Sequence, residues 1–239
     1  MKVFAIIPAA GLGTRMASAG SSKGKKPAPS KQFTELAGTP ILVHTLRKFA
    51  ASADVAEICI ALRANEIEGL RARLDAEKLK KKIHLVEGGE HRQQSVAHAM
   101  AAISAAPDDI VLVHDAVRPF VTGEIIHDVI EAAQKHGAAI AGVPAVDTIK
   151  EVQRTADGAV ITATIPRERI VMAQTPQGFR YDVLKKAFDE AEADGFMGTD
   201  EASLVERSGH EVAVVMGSAR NIKITTPADL ELAGFYLGK

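Results

Sequence analysis

The stretch VFAIIPAAGLGTR (3–15) decides the fold prediction, because a short apolar run passes directly into a glycine-rich turn. The run VFAII (3–7) is continuously apolar, which is typical of a β-strand that other elements cover on both faces. A covered strand followed by a turn is how the units of an α/β protein begin. The stretch therefore favours an α/β fold with a glycine-rich turn after its first strand.

The rest of the chain alternates short apolar runs with segments of helical period. Apolar runs predict five further strands, at 55–62, 82–87, 109–115, 138–145 and 211–217. Helical spacing predicts six helices, at 40–52, 64–80, 92–104, 122–136, 181–195 and 226–239. This alternation predicts an α/β, doubly wound, mostly parallel sheet with helices on both faces.

One region, 147–179, lacks helical periodicity. Within it, the turn Ala156-Asp157-Gly158 separates two β-rich runs, DTIKEVQ and AVITATI, and this pattern predicts a β-hairpin. A two-stranded hairpin is at best marginally stable alone in water. The hairpin therefore needs a surface to lie on, and a second subunit is one candidate.

The composition is that of an ordinary globular protein, with 239 residues, 46% of them hydrophobic and 25% charged. A net charge of −1 gives no reason to expect nucleic acid or a membrane surface as a partner. Pro8 and the glycines after it interrupt the apolar N-terminus, so we expect no signal peptide and a cytoplasmic chain. The one cysteine, Cys59, lies in an apolar run and predicts a buried thiol.

The glycine-rich turn matches neither of two common phosphate-binding patterns. The dinucleotide pattern G-x-G-x-x-G/A fails at Met16. The segment GSSKGKK (20–26) is one residue short of a P-loop, and Lys26 stands where that pattern needs Ser or Thr.

A third interpretation of the turn keeps its glycines and adds cations. Gly11 and Gly13 allow backbone N–H groups to approach an anion closely. Arg15 and Lys31 would then neutralise phosphate oxygens. The alternative is a surface loop whose lysines meet only water.

Two further motifs carry candidate residues after predicted strands. HDAVRPF (114–120) places Asp115 and Arg118 at the carboxyl end of a strand, where ligands bind in open α/β sheets. A carboxylate there can hold Mg²⁺ together with substrate phosphates, and the alternative is an Asp–Arg ion pair. VEGGEHRQQS (86–95) predicts either a turn that contacts a base or sugar, or an ordinary loop.

The C-terminal third adds a lysine and two helix starts. Lys223 alternates with Ile222 and Ile224, so its side chain faces either solvent or a cleft. Thr226-Pro227 predicts the start of a helix, and GTDEAS (198–203) predicts another, with acids in its first turn.

Eight segments, taken in order, resemble one family along nearly the whole chain. They are PAAGLGTRM, PSKQF, EGGEHRQQSV, VLVHDAVRPFV, GVPAVDTIK, PRERIVMAQTPQGF, GTDEASLVE and GSARNIKITTPADL. Their order resembles that of the 2-C-methyl-D-erythritol 4-phosphate cytidylyltransferases. This resemblance implies a single domain over 1–239 with a Rossmann-like nucleotidyltransferase fold. It also implies a protruding dimerisation arm at 147–167, which exchanges contacts across a homodimer.

The resemblance also implies substrates, a cation and the roles of particular residues. The substrates are CTP and a sugar-alcohol phosphate, and the cofactor is Mg²⁺ or another divalent cation. Matched by position, the residues that the resemblance implies for triphosphate binding are Ala9, Ala10, Gly11, Gly13, Arg15, Lys31 and Lys223. Of these, Arg15, Lys31 and Lys223 are implied to be catalytic cations. The resemblance implies that Gly89, Glu90 and Ser95 contact the cytosine and ribose, and that Asp115 binds the metal. The residues implied to bind the sugar phosphate are Arg118, Thr148, Arg167, Thr175 and Thr199.

The implied reaction needs no protein base, because the acceptor phosphate, with a second pKa of about 6, is already largely ionised near neutral pH. The absence of a legible nucleophile–base triad agrees with this expectation. Two alternatives stay open at this point. One is a cytidylyltransferase for another polyol phosphate such as ribitol 5-phosphate, and the other is a dimeric nucleotide-binding module without activity.

Overall fold

A seven-stranded sheet forms the centre of the computed structural model, which describes residues 1–11 and 30–238. The strand order is β11-β7-β10-β6-β1-β4-β5, and neighbours are parallel except where β10 pairs antiparallel with β6 and β7. The strands of this sheet are β1 Val3–Pro8, β4 Glu57–Leu62, β5 Lys82–Glu87, β6 Ile110–Val113, β7 Ala138–Pro144, β10 Val171–Arg180 and β11 Ala213–Met216. Two smaller sheets pair β2 Glu35–Leu36 with β3 Thr39–Pro40, and β8 Ile149–Thr155 with β9 Gly158–Ile165.

Helices cover both faces of the large sheet, as predicted. They are α1 Ile41–Ala51, α2 Ala64–Glu77, α3 Arg92–Ala101, α4 Gly123–His136, α5 Tyr181–Ala193, α6 Glu201–Arg207 and α7 Pro227–Tyr236. Alternate side chains of β1 enter two separate cores, because successive residues of a strand point to opposite faces. Ala5 and Ile7 pack with α1 and α4, whereas Phe4 and Ile6 pack with α3 and α5.

The helix boundaries follow the signals in the sequence. The hydroxyl of Thr122 accepts a hydrogen bond from the Ile125 amide at the start of α4, and Gly137 ends that helix with a φ of 84°. Thr226 caps α7 with Pro227 at its first position, and Asp200 caps α6. The prediction of these starts is confirmed.

The predicted hairpin forms a two-stranded sheet of its own, with β8 and β9 antiparallel on either side of a tight turn. Nearly all of its side chains are exposed, including the apolar side chains of Val152, Val160 and Ile161. The hairpin therefore exposes apolar surface that the described residues of its own chain do not cover.

The sequence patterns did not predict β10, which lies between β6 and β7 near the middle of the sheet. Its sequence, VMAQTPQGFR, contains three buried polar residues and a proline, a composition that is unusual in a central strand. The pairing with β7 shifts register between Ala173 and Gln177, and the irregular region accommodates Pro176. Gly178 is required by packing, since a Cβ there would lie 2.7 Å from a methyl group of Val129.

Cys59 is fully buried in β4, as expected, and burial raises the pKa of its thiol to about 12. The thiol is therefore inert at neutral pH. Among the described helices, none combines the length and the apolar character that a membrane crossing requires.

Candidate active site

A cavity opens at the carboxyl ends of β1, β5 and β6, where five segments of the chain converge. Its lining includes most of the residues predicted to bind the nucleotide and the metal. Of these it contains Ala9, Ala10, Gly11, Lys31, Gly89, Glu90, Ser95, Asp115 and Lys223. Gly13 and Arg15 lie outside the described residues. Parallel strands explain this convergence, because their carboxyl ends meet at one edge of the sheet.

The turn after β1 and the turn after β5 touch each other. A Cβ on Gly88 would lie 2.5 Å from the Cβ of Ala10, so the contact requires glycine. Backbone bonds hold each turn to β4, from the Ala9 amide to the Ala61 carbonyl and from the Gly88 amide to the Leu62 carbonyl, both 2.7 Å. At Gly11 a Cβ would meet no described atom within 4 Å, so glycine there leaves the space above the turn open.

Ser95 supports the second turn from below. Its hydroxyl accepts a bond from the Gly89 amide at 3.1 Å and lies 3.1 Å from the His91 carbonyl. The side chain of Gln94 accepts a bond from the Glu90 amide at 3.0 Å. These bonds fix the backbone at 89–91 before any ligand is bound.

Asp115 is the electrostatic centre of the cavity. Its Oδ2 lies 2.9 Å from Lys223 Nζ and 3.2 Å from Arg118 Nε, and its Oδ1 lies 3.6 Å from Arg92 Nε. Burial alone would raise the pKa of this carboxyl, but the charges of the three cations outweigh burial and hold the pKa well below its usual range. Asp115 is therefore ionised at any physiological pH.

Arg92 connects Asp115 to a second buried carboxylate, Glu201. Its Nη1 lies 2.5 and 2.6 Å from the two carboxylate oxygens of Glu201, a residue that is only 1% exposed. Burial raises the pKa of Glu201, and the guanidinium opposes that rise. The sequence patterns missed this pair, because an acid in the first turn of a capped helix is adequately explained by the helix dipole alone.

Beneath Asp115, His114 and Thr175 form a buried hydrogen-bonded pair. The Asp115 amide donates to Thr175 Oγ1 at 3.0 Å, and the Thr175 hydroxyl lies 3.0 Å from His114 Nδ1. The other ring nitrogen, Nε2, lies 3.1 Å from the Arg118 carbonyl and donates to it. Burial lowers the pKa of His114 to about 4, so the ring is neutral and both of its nitrogens are engaged.

Lys223 points into the cleft, which answers the question that the alternation of residues 222–224 left open. Ile224 is fully buried on the opposite side, and its amide donates to the Val117 carbonyl at 3.0 Å. Two residues earlier, the Asn221 side chain donates to the Gln174 side chain at 3.2 Å and to the Thr175 carbonyl at 2.9 Å. Buried amides therefore hold the segment that carries Lys223.

The residues predicted to bind the sugar phosphate are in three different environments. Arg118 lies beside Asp115, and its Nη1 donates to the Asn221 carbonyl at 2.7 Å. Thr175 is buried, and its hydroxyl is engaged in the pair described above. Thr148, Arg167 and Thr199 are exposed, and none of them lines the cavity.

The whole chain is similar in sequence to one family of known enzymes. The family model for 2-C-methyl-D-erythritol 4-phosphate cytidylyltransferase matches residues 3–239. The chain is 60% identical to the enzyme of that name from Acidobacterium capsulatum, over 99% of this chain and 98% of the relative. It is 54% identical to the one from Solibacter usitatus, over 99% and 96%.

Solved structures with similar folds carry related names. A crystal structure of 4-diphosphocytidyl-2C-methyl-D-erythritol synthase from Anaerococcus prevotii aligns with a TM-score of 0.82 and 29% identity, over 100% of this chain and 99% of that chain. The cytidylyltransferase from Thermus thermophilus aligns with a TM-score of 0.76 and 34% identity, over all of both chains.

Proposed function

The chain belongs to the 2-C-methyl-D-erythritol 4-phosphate cytidylyltransferase family, and on that premise we propose how its residues divide the work of the reaction. The protein transfers a cytidylyl group from CTP to 2-C-methyl-D-erythritol 4-phosphate, giving CDP-methylerythritol and pyrophosphate. This reaction belongs to the non-mevalonate pathway to isoprenoid precursors. Both substrates carry negatively charged phosphate groups, so most of the proposed roles consist of binding phosphate and neutralising its charge.

One observation carries the proposal: three cations surround one ionised carboxylate at the rim of a cavity lined by backbone turns. Lys223, Arg118 and Arg92 lie within 4 Å of Asp115. Buried carboxylates of this kind keep cations in place before the substrate arrives, and such preorganised charges stabilise a transition state at no further cost of reorganisation. A site with this surplus of positive charge suits a triphosphate and a phosphate monoester bound side by side.

In the bond-making step, an oxygen of the methylerythritol phosphate attacks the α-phosphorus of CTP. A new P–O bond forms, and the bond from the α-phosphorus to the bridging oxygen of pyrophosphate breaks. The monoester is already largely ionised at neutral pH, since its second pKa is about 6. His114 is neutral with both nitrogens engaged and Asp115 is held ionised, so neither residue is assigned a proton transfer.

The turn at Ala9–Gly13, with Arg15 and Lys31, is assigned the triphosphate. Amide N–H groups of such a turn bind phosphate oxygens as fixed dipoles, and the cations neutralise charge that moves to the leaving pyrophosphate. Lys223 is assigned the phosphates nearest the reacting centre. Gly89, Glu90 and Ser95, in the second turn, are assigned the cytosine and ribose.

The residues present fit a divalent cation that is shared with the substrates. Two cationic side chains lie within 3.2 Å of Asp115 Oδ2, whereas the ion pair recorded for Oδ1 among the described residues is with Arg92 Nε at 3.6 Å, beyond hydrogen-bond distance. Within residues 1–11 and 30–238 no group of three metal-ligating side chains occurs, so a cage made only of protein ligands is not what these residues offer. Mg²⁺ commonly binds through one carboxylate and substrate phosphates. Held by Asp115, it would neutralise phosphate charge.

The hairpin over 147–167 is assigned to the partner's site in a homodimer. Three observations support this proposal. The hairpin exposes Val152 and Ile161, which face each other in register. Thr148 and Arg167 are exposed and lie outside the cavity of their own chain. Arg167 Nη1 donates to the Val146 carbonyl at 2.7 Å and its Nε lies 3.7 Å from Glu168, and the side chain is 54% exposed.

The test of the proposed function is pyrophosphate release from CTP with Mg²⁺, measured separately with methylerythritol phosphate and with ribitol 5-phosphate. We expect turnover with the first acceptor and a kcat/KM lower by orders of magnitude with the second. An Asp115→Asn variant is the matched control, because it keeps the size of the side chain and removes the charge. No pyrophosphate release with methylerythritol phosphate under any divalent cation would contradict the function.

A further inference from the structure

Arg63, between β4 and α2, bonds to two segments that are far apart in the sequence. Its Nε donates to the Ala10 carbonyl at 3.2 Å, and its Nη2 donates to the Gly11 carbonyl at 3.4 Å and to the Ser30 hydroxyl at 2.6 Å. Ala10 and Gly11 belong to the turn after β1, and Ser30 directly precedes Lys31. One guanidinium thus connects the turn to the segment that carries a catalytic lysine.

Three neighbours complete this arrangement, which we name the Arg63 cluster: Arg63, Glu66, Ser30 and Gln32. The Ser30 hydroxyl donates to the Glu66 carboxylate. The side-chain amide nitrogen of Gln32 donates to the Ala9 carbonyl and lies 3.5 Å from the Glu66 carboxylate. Ser30 and Gln32 are both buried, so these bonds are shielded from water.

The bonds to carbonyl groups decide where the amide groups of the turn point. In a trans peptide the C=O and the N–H of the next residue lie in one plane and point in opposite directions. Holding the Ala10 carbonyl toward Arg63 directs the Gly11 N–H away from Arg63. Holding the Ala9 carbonyl toward Gln32 directs the Ala10 N–H away from Gln32. Ala10, Gly11 and Gln32 all line the cavity, whereas Arg63 does not. The Gly11 N–H, which points away from Arg63, is therefore the amide of the turn that this arrangement orients toward the cavity.

The ion pair of Arg63 with Glu66 does not by itself explain this side chain. The two groups are 3.9 Å apart at i,i+3, and pairs of this kind near the surface contribute little. Arg71 and Glu68 on the same helix form a similar pair at 3.5 Å, with both side chains more exposed. Arg71 therefore provides a control that has the ion pair without the bonds to the turn.

We propose that Arg63 is a positioning residue for the nucleotide: it orients the N–H group of Gly11 and, through Ser30, places Lys31 beside the turn. This inference rests on the proposed assignment of the triphosphate to that turn. It makes Arg63 a determinant of CTP affinity without direct contact with the substrate.

The test measures CTP binding by calorimetry, without acceptor, in Arg63→Ala, Arg63→Lys, Ser30→Ala and Arg71→Ala variants. We expect Arg63→Ala to weaken CTP binding about tenfold, because it removes several bonds made by a charged group. Lysine keeps the charge but lacks the fork, so Arg63→Lys should recover only part of the loss. Ser30→Ala should weaken binding about threefold, and Arg71→Ala should match the wild type.

A second measurement separates positioning from general damage. At saturating CTP, Arg63→Ala should leave the KM for methylerythritol phosphate within about twofold of the wild-type value, as expected for a local effect on one substrate. Unchanged CTP binding in Arg63→Ala, complete rescue by lysine, or equal losses for both substrates would each overturn the inference. If Arg63→Ala fails to fold, unchanged CTP binding in Ser30→Ala would overturn it. Wild-type protein that binds CTP but releases no pyrophosphate would instead contradict the proposed function and leave the Arg63 result standing.

Discussion

The cavity around Asp115 and the hairpin β8–β9 differ in the burial and the hydrogen bonding of their side chains. Around Asp115, buried carboxylates are bonded to cations, and the buried residues His114 and Thr175 hold Asp115 by hydrogen bonds. On the hairpin, Val152 and Ile161 are 49% and 64% exposed, and the predicted substrate residues Thr148 and Arg167 face solvent. Among the described residues, the charged groups around Asp115 have partners within the chain, whereas the hairpin exposes apolar side chains.

The two regions therefore suit different functions, which are stabilisation of charge and selection of the acceptor. Charge stabilisation depends on dipoles and cations that do not move, so it belongs where packing and hydrogen bonds fix every group. The proposed function assigns selection of the acceptor to the hairpin, after association of two subunits. On that proposal, substitutions in the cavity should affect turnover or stability, and substitutions in the hairpin should affect acceptor binding and association.

The largest effect is expected from Glu201→Ala. It leaves the Arg92 guanidinium, whose side chain is 30% exposed, without its buried carboxylate partner, and breaking a buried pair costs up to about 3–5 kcal/mol of unfolding free energy. Denaturant unfolding measures the loss. Glu206→Ala, at an exposed position of the same helix, is the control and should change stability by less than about 0.5 kcal/mol. A loss below about 1 kcal/mol in Glu201→Ala would show that the pair does not hold the cavity together.

Lys223→Ala should come next, and its effect should fall on turnover. Removing a cation that meets developing charge raises the barrier by about 2–4 kcal/mol, seen as a loss in kcat. The side chain is 40% exposed, so the unfolding free energy should change little. Steady-state kinetics decide the matter, with Lys186→Ala on the surface of α5 as the control. A kcat equal to that of the wild type would remove Lys223 from the catalytic group.

The sequence was sufficient for the parts of this account that depend on local patterns. Continuous apolar runs such as 3–7 identified the covered strands, and Thr122, Gly137 and Thr226 marked helix ends by capping. Asp115 followed from a general rule, that ligands bind at the carboxyl ends of parallel strands. These inferences need only the neighbours of each residue in the chain, whereas the roles of the nucleotide residues came from a resemblance along nearly the whole chain.

The parts that were missed depend on contacts between distant segments. β10 carries polar residues that a sequence pattern excludes from a central strand, yet each one bonds to a different part of the site. Gln174 bonds to Ser218 and Asn221, Thr175 to Asp115, and Gln177 to the start of α6. Likewise, Arg92 meets Glu201 across 109 positions, a pairing that no local pattern specifies.

On the hairpin side, Arg167→Ala should raise the KM for methylerythritol phosphate about tenfold, or about 1.4 kcal/mol, through loss of one charged contact to a phosphate. The KM for CTP and the unfolding free energy should stay at wild-type values. Arg169→Ala, in the same short turn, is the matched control. Equal increases in KM for both substrates would mean that the hairpin does not discriminate between them.

The smallest effect is expected from Ile161→Ala. Loss of apolar area from the hairpin face should weaken dimerisation about fivefold, or about 1 kcal/mol, as measured by analytical ultracentrifugation over a concentration series. Gln153→Ala, next to Val152 on β8 where the pairing is regular, faces the other side and should leave association unchanged. Association that is insensitive to both substitutions would leave the exposed face of the hairpin without a role in the dimer.

Mixing two defective variants tests most directly whether the two regions meet across a dimer. Lys223→Ala damages the cavity and Arg167→Ala damages the hairpin, so one site in each mixed dimer would combine an intact cavity with an intact hairpin. Random exchange of subunits makes about half of the dimers mixed, so about a quarter of all sites would be intact. At low methylerythritol phosphate concentration we predict that the mixture recovers about a quarter of wild-type activity, well above the mean of the two variants. Activity equal to that mean would contradict the account, because it would place both regions in the same subunit's site.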